Sequence, residues 1–136
     1  MVIVDTSVWS LALRRNRTHP SAEEVTAELT RLIEHGEAVL AGPIRQELLS
    51  GVKTQTQFKL LRERLEPFPD LPIVAADYER AASCFNLGRA RGIQGSNTDF
   101  LICALALRAQ LPVFSTDRDF ERYAEILGVR LHAVAA

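Results

Sequence analysis

Val2-Ile3-Val4 is a continuous apolar triplet that runs straight into Asp5, and the same grammar returns along the chain. Ala38 to Ala41 is followed by Gly42-Pro43 and a short helical stretch carrying Glu47. Pro112 to Ser115 is followed by Thr116-Asp117. Short apolar runs of this kind are the mark of buried parallel strands. Helical patterns fill the intervals. The expected order is β-α-α-β-α-α-β-α-α-β-α-β, which predicts an α/β fold: a three-layer α/β/α sandwich around a parallel sheet of four to five short strands.

The individual segments support that order. A helix is expected from about Thr6 to Arg14. Ser21-Ala-Glu-Glu24 reads as a capping box ahead of the stripe Val25, Leu29, Leu32 and Ile33, with Gly36 as the stop. A further helix is expected from Thr54 to Leu65. Pro67, Pro69 and Pro72 punctuate a loop before a short strand near Ile73-Val74. Tyr78, Ala81, Ala82 and Phe85 have helical spacing. Thr98 to Ala109 is apolar nearly all round, as a buried helix is. Asp117 to Leu127 is the last expected helix and Val129 to Ala133 the last expected strand. With no repeat or linker, residues 1–136 are expected to form a single domain.

In an open parallel sheet, strand-to-helix junctions fall on one edge, where such folds place their sites. Asp5, Glu47 and Asp117 follow strands, and Asp99 opens the buried helix. For any one of these acids, helix capping or a solvated face is the simpler explanation. Together they should converge. Two carboxylates about 5 Å apart repel by roughly 3 kcal/mol at an effective dielectric of 20. Four must raise their pKa values or recruit a cation, and no Lys or Arg recurs beside all of them. An all-oxygen donor set suits hard divalent ions, Mg2+ or Mn2+. The residues alone therefore point to metal-dependent phosphoryl chemistry.

Several classes are disfavoured. With a formal net charge of −1 and a pI of about 6.3, there is no global basic field to attract nucleic acid. Cys84 and Cys103 lie in apolar helical stretches and read as buried hydrophobes in a reducing cytoplasm. No run approaches 18 uncharged apolar residues, so no membrane contact is expected. A dehalogenase-type phosphotransferase would need Asp at position 7, which is Ser7, and a late Lys, whereas the last lysine is Lys59. A receiver domain would need the same late Lys.

Val-Ile-Val-Asp-Thr-Ser-Val-Trp at the start, Glu-Leu-Leu-Ser-Gly at 47–51, Thr-Asp-Phe-Leu-Ile-Cys-Ala-Leu-Ala at 98–106 and Phe-Ser-Thr-Asp-Arg-Asp-Phe at 114–120 resemble the motifs of PIN-domain ribonucleases, more narrowly the VapC-type toxins of toxin–antitoxin pairs. The resemblance runs from the first residue to about the last strand, with the motifs in family order. It implies a Mg2+- or Mn2+-dependent endoribonuclease that hydrolyses RNA with metal-activated water. Asp5, Glu47, Asp99 and Asp117 would be the catalytic and metal-binding quartet, with Asp5 and Asp99 as the direct ligands. Thr6 and Thr116 stand where relatives place a supporting hydroxyl. Asp119 is either a fifth acid or a helix cap. Ser96 and Asn97 depart from many relatives and could alter the rim of the site. The resemblance also implies a homodimer, a cognate antitoxin as partner and RNA as substrate. Arg14, Arg15, Arg17 and Arg89 are the candidate RNA contacts, set against the plain alternative that such residues solubilise helix faces. The competing expectation is a non-catalytic RNA- or protein-binding module on the same scaffold.

Overall fold

The computed structural model describes residues 1–13 and 21–134. The chain begins with β1 (Val2–Val4) and α1 (Thr6–Leu13), then α2 (Ala22–Glu34). Next come β2 (Ala38–Ala41), α3 (Gly42–Leu49) and α4 (Gln55–Leu65). β3 (Asp70–Leu71), α5 (Ala75–Ala90) and α6 (Asn97–Ala109) follow. β4 (Val113–Phe114) and α7 (Asp119–Leu127) close the series.

All strand pairs are parallel and the sheet order is β3-β2-β1-β4. The chain winds outward from β1 through β2 to β3, then returns to place β4 on the other side of β1. The winding therefore reverses between β1 and β4. A reversal of this kind opens a crevice at the carboxyl ends of the two strands. α1 packs on α2 and α3, while α5 packs on α6 and α7, completing the three-layer α/β/α arrangement. β1 and β2 are buried along their whole length, as their unbroken apolar runs require. α6 buries seven consecutive residues, Phe100 to Ala106, and is the central helix of the core. Trp9 joins that core, donating its indole N–H to the Val4 carbonyl at 3.1 Å and meeting Phe68 edge-on. Among the described residues, no helix is long and apolar enough to cross a membrane.

Three expectations are corrected. The third strand lies at Asp70–Leu71, ahead of Ile73-Val74. Pro72 has no N–H to give a ladder, and the Val74 N–H is taken by Asp77 Oδ2 at 2.9 Å, which commits that residue to the start of α5. The last strand contracts to a single parallel bridge, Leu131 to Val113, because the β4 edge it meets is only two residues long. Ser21 precedes α2, but without the side-chain cap expected of it; its φ of −107° and ψ of 19° lie outside the extended region such caps use.

Two buried acids tie elements together. Asp77 also accepts from Arg108 Nε at 2.7 Å, and Arg108 reaches on to the Pro72 carbonyl at 2.6 Å, joining the start of α5 to the end of α6. Glu28 on α2 is clasped by Arg31 Nε and Nη2 at 2.8 and 2.9 Å and by His132 Nε2. His132 also donates its backbone N–H to the Val113 carbonyl at 2.8 Å, so the segment after α7 is fastened to both β4 and α2. The Arg31 hydrogen bonds, opposed by burial and helped by His132, hold the Glu28 carboxyl at about 2, below its ordinary 4.5.

A depressed carboxylate stabilises the fold above its unfolded pKa and loses that contribution as pH falls through its folded value. For Glu28 the window runs from about 4.5 down to about 2. Glu28→Gln is therefore expected to lower the melting temperature at neutral pH, with the deficit closing across that window. Thermal unfolding followed by circular dichroism against pH checks it; a deficit that does not change with pH would refute the assignment.

Candidate metal centre at the sheet edge

Asp5 is the residue immediately after β1, at the mouth of the crevice. Its backbone N–H donates to the Phe114 carbonyl at 2.9 Å, so the sheet itself sets where it leaves the strand. Its side chain is 6% exposed. Oδ2 accepts the hydroxyls of Ser7 and Ser115, both at 2.9 Å, and the Ser7 N–H at 3.4 Å. The two hydroxyls stand 3.2 Å apart, and Ser7 Oγ also receives the Thr116 N–H at 3.0 Å. This knot fastens the end of β1 to the end of β4. Among the described residues, no donor completes a hydrogen bond to Asp5 Oδ1.

Asp99 sits in the first turn of α6. Ser96 caps that helix, accepting the Asp99 N–H at 3.0 Å. Asp99 Oδ2 accepts the Tyr123 hydroxyl, from α7, at 2.8 Å. The Asp99 carboxyl is raised above its ordinary value, mainly by burial and further by the charges of Asp5 and Asp117; the Tyr123 bond opposes the rise. Burial and the same hydrogen bond push the Tyr123 phenol upward, so it stays a proton donor.

Glu47 projects from α3. Partial desolvation raises its carboxyl first, and the charges of Asp5 and Asp99 raise it further. The Thr6 hydroxyl works against this rise from nearby. By distance and angle, however, the buried Thr6 Oγ1 completes no hydrogen bond, the one such side-chain atom among the described residues. Asp117 is exposed in the turn after β4. Its N–H donates to Ser115 Oγ and its Oδ1 accepts the Asp119 N–H, both at 3.0 Å. Asp117 Oδ1 thus takes the first N–H of α7, the N-cap residue Arg118 makes no side-chain cap, and the helix starts at Asp119, two residues later than the sequence suggested.

The four acids share one electrostatic neighbourhood: Asp5 and Asp99 act on Glu47, and Asp5 and Asp117 act on Asp99. Asp119 is felt at Tyr123 beside them. Among the described residues, no ion pair reaches any of the quartet. Nor, among the described residues, are three or more Asp, Glu, His or Cys side chains grouped so that they could together hold a metal ion. The donor set nonetheless fits a hard divalent ion. Every ligand atom is oxygen, like charges crowd without a cation, and an unpartnered hydroxyl lies beside them.

Arg89 does not join the group; it lies in the last turn of α5 with its guanidinium 6.0 Å from the Phe85 ring centre. Arg14, Arg15 and Arg17 fall outside the described residues. Sequence reasoning missed Tyr123 as a partner of Asp99 and the Ser7–Ser115 bridge. The missing signal for Tyr123 was its place on α7: as the fourth residue after Asp119, it shares that residue's helix face.

The fold and the site define a class, and comparison with known proteins agrees. The PIN domain family model matches residues 2–126, so the chain belongs to the PIN domain family. It is 29% identical over 134 residues to the VapC ribonuclease Mb1587 of Mycobacterium bovis, covering 96% of both chains. Its identity to the ribonuclease VapC11 of Mycobacterium tuberculosis is likewise 29%, with the same coverage. Among solved structures, FitAcB from Neisseria gonorrhoeae superposes with a TM-score of 0.68 at 26% identity, over 97% of each chain. VapBC2 from Rickettsia felis, bound to a DNA fragment from its promoter, superposes with a TM-score of 0.71 at 18% identity, over 97% of this chain and 98% of that one.

Proposed function

We propose that this protein is a Mg2+- or Mn2+-dependent endoribonuclease, the toxin of a toxin–antitoxin pair, acting in the cytoplasm as a homodimer. The observation that carries the reading is the gathering of Glu47 and Asp99, both with carboxyls raised by burial and by neighbouring acids, beside buried Asp5, where among the described residues no ion pair reaches them. The names of the VapC relatives support RNA as the substrate class. The FitAcB and VapBC2 structures support a partner protein as antitoxin.

Asp5 and Asp99 would hold the ion, each through the oxygen that no hydrogen bond occupies. Mg2+ keeps several waters and takes one or two carboxylates directly, so Glu47 and Asp117 would act through water. When bound, the ion would supply Lewis acidity and neutralise charge gathering on the phosphodiester. Ser7 and Ser115 fix the Asp5 carboxylate; Thr6 Oγ1 is free to orient a water beside Glu47. A separate cavity of about 470 Å3 is lined by Ser10, Leu48, Leu60, Leu61, Lys53 and Arg64, and by none of the four acids.

The test is cleavage of RNA by the purified, antitoxin-free protein. Cleavage is expected with MnCl2 or MgCl2 and should vanish in excess EDTA. Cleavage that persists in EDTA would overturn the metal requirement. RNA binding without cleavage in MnCl2 would favour a non-catalytic binding module.

A further inference from the structure

Tyr123 is 1% exposed, and its phenol has a fixed place. The rings of Phe100 and Phe120 lie with centres 5.1 Å from its own. The Gly95 backbone closes in on the hydroxyl: a Cβ built on that glycine would stand 2.4 Å from the phenolic oxygen. Ring and backbone thus hold the O–H on Asp99 Oδ2, at 2.8 Å. The Ser96 hydroxyl, which accepts the Asp99 N–H at 3.0 Å, weakly favours the charged Asp99 carboxyl from nearby, but by distance and angle no donor among the described residues completes a hydrogen bond to Oδ1. Asp99 is therefore held with one oxygen engaged inside the protein and the other open.

That asymmetry bears on which ion the carboxylate can accept. Ca2+ takes six to eight oxygens and readily uses both oxygens of one carboxylate. Mg2+ and Mn2+ prefer octahedral sites of oxygen ligands, with single-oxygen contacts and retained water. The geometry points to Tyr123 as a positioning residue that sets the metal preference of the site, by denying Asp99 a two-oxygen grip. The inference rests on the metal reading of this site and adds to it a determinant of ion selectivity.

Tyr123→Phe removes one oxygen and keeps the ring packing. Isothermal titration of the full chain with MnCl2 and with CaCl2 gives the readout, with circular dichroism of the metal-free variant to confirm the fold. The wild type is expected to bind Mn2+ more tightly than Ca2+. In Tyr123→Phe the Mn2+ dissociation constant should rise about tenfold, the usual scale for losing an outer hydrogen-bond partner of a ligand. The Ca2+ constant should hold or fall, so the ratio between the two narrows. Equal weakening of both ions would assign Tyr123 a purely structural role and overturn the inference, as would an unchanged ratio. A wild type that binds neither ion at millimolar concentration would instead overturn the metal reading itself, and this inference with it.

Discussion

Asn in place of Asp5 is expected to reduce metal-dependent RNA cleavage by about a thousandfold while leaving the fold intact. The size follows from the proposed role of Asp5 as a ligand, since the ion it would hold would supply several kcal/mol to the transition state, at about 1.4 kcal/mol per factor of ten. The fold should survive because the substitution keeps shape. The Asn carbonyl can still accept the hydroxyls of Ser7 and Ser115, which now bond Oδ2 at 2.9 Å. What disappears is the negative charge and the second oxygen, whose place is taken by an NH2 group that cannot bind a cation. Initial rates on RNA in saturating MnCl2, beside far-ultraviolet circular dichroism, provide the measurement. A rate within tenfold of wild type would remove Asp5 from the chemistry.

The second large effect is expected at Gly95, whose φ demands no glycine but whose surroundings do. The Cβ of Gly95→Ala would meet Tyr123 Oη at 2.4 Å and Phe100 Cε2 at 2.8 Å. Neither atom has room to retreat, since both rings are about 1% exposed and pack against each other. Overpacking a well-filled core costs about 1–3 kcal/mol. In a chain of this length that corresponds to a fall in melting temperature of roughly 4–12 °C. The same methyl group would push the phenol off Asp99, so Mn2+ affinity should fall together with stability. A melting temperature within a degree of wild type would show that the site yields more easily than its packing indicates.

The fold was legible where the residues carry a strong local signal. Val2–Val4 and Ala38–Ala41 can be little else than buried strands, and Thr54 caps α4 by accepting the Gln57 N–H at 3.1 Å, as its type suggests. Sequence failed where tertiary competition decides. Whether Asp70–Leu71 or Ile73-Val74 joins the sheet depends on Asp77 claiming the Val74 N–H, which no window of residues displays. The nearness of the four acids was legible because strand-to-helix junctions are visible in sequence and a parallel sheet brings them to one edge. Their supports were not: the Tyr123–Asp99 bond spans 24 residues and the Ser115–Asp5 bond spans 110.

The acids come from the end of β1, the body of α3, the start of α6 and the turn after β4, segments distributed over more than a hundred positions of the chain. No short fragment holds them all. A nascent chain on the ribosome cannot assemble this pocket until β4 has emerged and docked against β1. A protein dangerous to the cell's own RNA would thus be harmless throughout its synthesis, which leaves time for a neutralising partner to be made before the final segment arrives.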